Sequence, residues 1–97
     1  MRKKMTAAEI KAALPKLDGW KVKAGKLHRE YQFPDFKHAM KFMHSAVPGI
    51  NKMDHHPEWF NVYNKVIVDL NTHDAGGITA MDFKLGELLE ALSKRAL

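Results

Sequence analysis

The sequence predicts an α+β domain in which helices pack on one side of an antiparallel sheet. Three observations carry that reading. Segments with strand character come in two neighbouring pairs, at residues 20–33 and 58–72. Each pair is joined by a short turn, as in a hairpin. Segments with three- and four-residue apolar spacing lie before, between and after the pairs, so helices and hairpins alternate and the sheet is expected to be antiparallel with one helical layer.

Each element has its own local cause. Thr6 and Glu9 have capping-box spacing and start a first helix near Ala7. Pro15 confines it to a few turns, because an interior proline costs about 3 kcal/mol. Asp18-Gly19 reads as a turn, followed by strands at residues 20–23 and 27–33 around Ala24-Gly25-Lys26. Asp35 can cap a second helix whose Phe36, Met40, Met43, Val47 and Ile50 are expected to form one buried stripe. Pro48-Gly49 should kink that helix or stop it early, since the proline removes a hydrogen bond and crowds the carbonyl of His44. Two more strands are expected at residues 58–63 and 66–72, then a break at Gly76-Gly77. Thr79 and Asp82 have N-cap and N3 spacing for a last helix, with Met81, Leu85, Leu88, Leu89 and Leu92 on one face.

Composition bounds the function without choosing it. The 97 residues are read as one domain. No apolar run approaches the roughly 18 residues of a membrane span. The basic start, Met1-Arg2-Lys3-Lys4, lacks a following apolar stretch, so export is not expected. With no cysteine there is neither a disulfide framework nor a thiolate metal site, and a cytoplasmic setting is the default. A formal charge of +5 raises nucleic acid as a partner. The lysines are scattered rather than gathered in a stripe, so direct nucleic-acid binding is not expected. An anionic or electron-rich small substrate fits the charge equally well.

Chemistry concentrates in Asp54-His55-His56-Pro57 and in His73. If Asn64-Lys65 is a two-residue hairpin loop, His56 lies opposite His73 at the open end of the last hairpin. His55 could line the same mouth, with Asp54 and Asp74 available to orient the rings. Histidine donates and accepts protons near neutrality, so two or three around one pocket can act as acid and base on one substrate. Metal binding is the competing use of three histidines, but adjacent His55 and His56 are poorly spaced to chelate, and no metal site is expected. His28, His38 and His44 are read as surface or packed residues. Core packing is the expected role of Trp59 and Tyr63, while Trp20 is placed at a pocket edge. The same register makes both faces of the last hairpin apolar, with Trp59, Tyr63, Val66, Val68 and Leu70 on one and Phe60, Val62 and Ile67 on the other. Helices cover only one face, so a second subunit is expected on the other.

The run Asp54-His55-His56-Pro57-Glu58-Trp59-Phe60, with Tyr63, Thr72-His73 and Asp82 at their spacing, resembles the signature of the pterin-4a-carbinolamine dehydratases. Gly19-Trp20 and the helix at 35–43 fit that family further upstream. The resemblance implies three helices on one face of a four-stranded antiparallel sheet, in the order α-β-β-α-β-β-α, assembled as a homodimer or homotetramer. It implies loss of water from a 4a-hydroxytetrahydropterin to give the quinonoid dihydropterin, with no metal or organic cofactor. That step recycles tetrahydropterin, a functional link to an aromatic amino-acid hydroxylase. His55, His56 and His73 match the catalytic histidines, and Asp54, Asn71, Thr72 and Asp74 match the segments that hold the pterin, with Trp20 as a nearby aromatic. His55 and His73 are the pair expected to move protons, with His56 orienting the substrate. Two departures stand out: Asn51 replaces the family's usual charged residue four positions before the first histidine, and Pro48-Gly49 falls where relatives continue a helix. The alternative is a non-catalytic dimerisation or assembly module on the same fold.

Overall fold

A computed structural model describes residues 3–97. The first helix, α1 (Ala7–Ala13), is closed by reciprocal Thr6 and Glu9 hydrogen bonds, and Pro15 turns the chain into a 3-10 segment, Leu14–Lys16. β1 (Lys21–Lys23) and β2 (Lys26–Gln32) form a hairpin over Ala24-Gly25, both at positive φ. Then come α2 (Phe36–Met53), β3 (Glu58–Val62), β4 (Lys65–Leu70), a 3-10 turn (His73–Ala75) and α3 (Ala80–Arg95). The sheet is antiparallel, as expected, and its strands lie in the order β1-β2-β4-β3. β3 and the three-residue β1 are its edges.

The core lies between the sheet and the two long helices. Leu27 and Tyr31 of β2 join Val66, Val68 and Leu70 of β4, all buried. Ala39, Phe42, Ala46 and Ile50 of α2 and Phe83, Leu85 and Leu89 of α3 complete it. Burying one such large side chain contributes about 1.5–3 kcal/mol. At the outer end of the sheet, one oxygen of Glu90 accepts bonds from Trp20 Nε1 (2.9 Å), Tyr31 OH (2.7 Å) and Arg29 Nε (3.2 Å). That carboxylate ties α3 to β2.

Four expectations are corrected by the fold. The helical stripe is rotated: Phe36 and Val47 are exposed, and Met40 and Met43 only half-buried, while Ala39, Phe42, Ala46 and Ile50 face the core. Both sets have three- and four-residue spacing and share Ile50, so spacing alone does not choose the face. In the fold the choice goes to Phe42, which is fully buried against Tyr31, Phe33 and Trp59. Pro48 does not stop α2, which continues to Met53. The residue is exposed, so the His44 carbonyl it deprives can be solvated. Beside it Gly49 meets Leu88 of α3 so closely that a Cβ there would overlap the Leu88 side chain.

The third correction concerns the last hairpin. Its turn is Tyr63-Asn64 rather than Asn64-Lys65, with Val62 opposite Lys65 and Glu58 opposite Asp69. Asn64 fixes this choice: its side chain donates to the Phe33 carbonyl (2.9 Å) and its own carbonyl accepts from the Phe33 N–H (2.8 Å). The slide is two residues along one strand, so the assignment of faces survives. Tyr63 itself sits in the turn at φ 49° and is exposed, so it is not core. Fourth, Trp20 is only 5% exposed; it packs edge-on to Tyr31 with its indole N–H on Glu90, and it does not line the histidine mouth. Trp59, half-buried, packs against Phe42 as expected.

Candidate active site

The site is built where α2 gives way to β3. Asp54 takes a left-handed conformation (φ 50°) and donates its N–H back to Asn51 and Ile50, which ends the helix and reverses the chain. His55, the next residue, is thereby turned inward and is 5% exposed, while His56 is left at the surface. Pro57 then leads into β3 with extended geometry imposed on His56.

His55 meets Asp82 of α3, with Nε2 to Oδ1 at 2.6 Å. Asp82 is fully buried and uses both oxygens. Its Oδ2 accepts from the Thr79 N–H (2.8 Å) and from the Thr72 hydroxyl (2.9 Å), and the two threonine hydroxyls are 2.8 Å apart. The N3 residue of a capping box is thus also the anchor of a histidine. A carboxylate on Nε2 favours the proton there and leaves Nδ1 as the nitrogen for other chemistry. Every member of this buried network is hydrogen-bonded, which rigidifies it.

Thr72 carries the network to the third histidine. It forms an isolated bridge with Gly77, and residues 73–75 make a single 3-10 turn closed by Gly76 at φ 74°. His73 projects from that turn with 80% of its side chain exposed, and its Nε2 is 3.6 Å from Glu58 Oε2. The other Glu58 oxygen holds Lys26 Nζ at 2.6 Å, and this bond raises the lysine pKa above its ordinary value.

The sequence-predicted residues therefore divide. His55 and His73 flank the same end of the β3–β4 hairpin; Asp82 and Thr72 run from His55 toward the turn that bears His73, while Glu58 faces His73 alone. His56 does not face His73: continued beyond β3, the observed register sets it across from Asn71. Asp54 and Asp74 are exposed and Asn71 half-buried, around the same end. Thr72 is 1% exposed, so its hydroxyl serves Asp82 rather than the mouth. Beside the site a cleft of about 710 Å³ opens between α2 and α3, lined by Lys52, Met53, Met81 and Lys84 among others. Met53 and Met81 adjoin Asp54 and Asp82, and the volume suits a small organic molecule.

Two residues of the site escaped sequence reasoning as site residues. Asp82 was legible as a capping residue and as part of the family motif, and Glu58 only as part of that motif; their histidine contacts are long-range. The other histidines lie elsewhere, as expected: His28 is packed on the sheet, His38 sits against its helix cap Asp35, and His44 is exposed. Among the described residues no group of three His, Asp or Glu side chains is placed to hold a metal ion, and no helix is long and apolar enough to cross a membrane.

Known proteins align with this architecture over nearly its whole length. A model of the family described as Pterin 4 alpha carbinolamine dehydratase matches residues 3–92. A Solibacter usitatus relative named for pterin-4-alpha-carbinolamine dehydratase is 55% identical over 93 residues, covering 96% of this chain and 98% of its own. One from Sulfurisphaera tokodaii, similarly named, is 43% identical over 90 residues, covering 93% of this chain and 97% of its own. A Brucella melitensis crystal structure, described as a transcriptional coactivator/pterin dehydratase, superposes with a TM-score of 0.90 at 41% identity, covering 94% of this chain and 99% of that one.

Proposed function

The chain belongs to the pterin 4 alpha carbinolamine dehydratase family of hydro-lyases, and on that premise we propose that it removes water from a 4a-hydroxytetrahydropterin by histidine acid–base catalysis. The observation that carries the mechanism is the buried Asp82–His55 pair, tied through Thr72 to the turn that bears His73. In the reaction the C4a–O bond breaks and the hydroxyl leaves as water after receiving a proton. The proton on N5 goes to a base, and C4a and N5 become doubly bonded. One acid and one base suffice, and no cofactor enters the balance.

His55 and His73 are assigned to proton transfer, with the exposed His56 orienting the ring. The backbone and side chains of Asp54, Asn71 and Asp74 bound the same mouth and are assigned to the polar edge of the pterin. Asn51 lies exposed on the last turn of α2, outside the Asp82 network, so the missing carboxylate there is compatible with activity. Continuation of α2 through Pro48 likewise preserves the approach to Asp54. The setting proposed is cytoplasmic tetrahydropterin recycling beside an aromatic amino-acid hydroxylase.

The test is stopped-flow dehydration of 4a-hydroxytetrahydropterin by wild type and His73→Ala. Acceleration that falls about 10²- to 10⁴-fold in the variant is the expected result. A well-folded wild type that gives no acceleration would move the assignment to a non-catalytic module.

Assembly belongs to the same proposal. On the sheet face without helices, Phe60 and Val62 are 61% and 52% exposed, beside Ile67 on β4. A second copy is the proposed cover, giving a homodimer or a homotetramer built from it. Light scattering should return at least a dimer mass and a smaller one for Phe60→Asp; a monomer mass for wild type counts against it.

A further inference from the structure

We infer that Glu58 is a positioning residue for His73, held in place by Lys26. Glu58 opens β3 opposite Asp69, on the sheet face away from the helices. Of the two carboxylates on that rung, Asp69 is committed to His28 Nδ1 at 2.7 Å. Glu58 is the one left to turn toward the site. One of its oxygens is fixed by Lys26 Nζ at 2.6 Å, which leaves the other aimed at His73 Nε2, 3.6 Å away. Among the described residues Glu58 is the side-chain partner of His73, whose ring is otherwise 80% exposed. An imidazole that free loses catalytic orientation unless something holds it.

The arrangement repeats the chemistry of His55. In both rings a carboxylate faces Nε2, at 2.6 Å for His55 and at a looser 3.6 Å for His73, which favours the proton on Nε2 and presents the Nδ1 lone pair. When His73 takes the substrate proton on Nδ1, the ring becomes an imidazolium beside the Glu58 carboxylate. The attraction grows as the charge develops, so it acts on the transition state more than on substrate binding. Lys26 is needed because Glu58 is itself 44% exposed and would otherwise sample many rotamers.

This inference rests on the dehydratase reading, and its test separates the two. Wild type and Glu58→Gln are compared by stopped-flow kinetics and by long-range ¹H–¹⁵N NMR of the His73 ring. The expected outcome is a dominant Nε2–H tautomer in wild type that drifts toward a mixture in the variant. With it, kcat falls about fivefold, the scale of one exposed ion pair, while KM stays within about twofold. A His73 tautomer ratio that ignores the substitution overturns the inference, as does an unchanged kcat in an active enzyme. An inactive wild type whose tautomer still follows Glu58 overturns the reaction and supports the contact.

Discussion

Two histidines of this chain are almost fully buried: His28 in the middle of β2, and His55 just after α2. Both touch carboxylates at close range, but they differ in how many ring nitrogens are engaged. His28 has Asp69 on Nδ1 and Glu30 on Nε2, each at 2.7 Å. Carboxylates thus occupy both ring nitrogens, and neither is open to a further partner. The nearby imidazole lowers the Glu30 pKa below the ordinary glutamate value. His55 has one nitrogen on Asp82 and keeps the other. Burial and a carboxylate partner are therefore common to both; what sets His55 apart, and suits it to the proton transfer proposed for it, is the unengaged nitrogen.

The comparison breaks most decisively at His55. Replacing it with alanine should lower kcat about 10²- to 10⁴-fold, measured by stopped flow on protein whose circular dichroism shows it folded. A near-wild-type rate would make His55 as structural as His28. Asp82→Ala comes next: it strands the Thr72 hydroxyl, the Thr79 N–H and His55 together. Urea unfolding should show a loss of about 3 kcal/mol, with activity falling alongside. An unchanged midpoint would mean the network relaxes around the loss.

His28→Ala sharpens the contrast from the other side. Because Glu30 and Asp69 are partly solvated, the expected destabilisation is about 1–2 kcal/mol, with kcat within about twofold of wild type. A large drop in rate in a stable variant would give His28 a role in the chemistry.

The smallest effect uses Glu90, a carboxylate that holds no histidine. Burial pushes its pKa up, but hydrogen bonds from Tyr31, Arg29 and Trp20 outweigh that and leave it below the ordinary value. A lowered folded pKa contributes stability that is present above the unfolded-state value and is lost as pH falls through the folded one. Unfolding free energy measured from pH 6 down to pH 3 should therefore fall more steeply in wild type than in Glu90→Gln. The difference is about 1 kcal/mol or less, because the group is partly solvated. Equal slopes would remove Glu90 from the acid limb.

Much of this molecule was legible along the chain because its signals are local. Capping boxes at Thr6–Glu9 and Thr79–Asp82 need only a three-residue reach, and both formed. Hairpin alternation was similarly readable, so the fold class followed, and the His-His-Pro segment pointed to the candidate site. What failed involved choices between locally equivalent options. Two stripes of α2 have the same helical spacing, and two turns of the last hairpin differ by a single residue. Trp20 looked free only because Glu90 lies 70 residues away.

By itself, then, the sequence determined element order, sheet direction and the family-defining residues, since propensity, capping and spacing act within a few residues. Tertiary structure alone decided that Asn64 pins the turn through Phe33, that Ala39 and Phe42 rather than Phe36 and Met40 enter the core, and that Asp82 reaches His55. Each of those outcomes turns on a contact between distant segments, whose geometry exists only after the layers have packed.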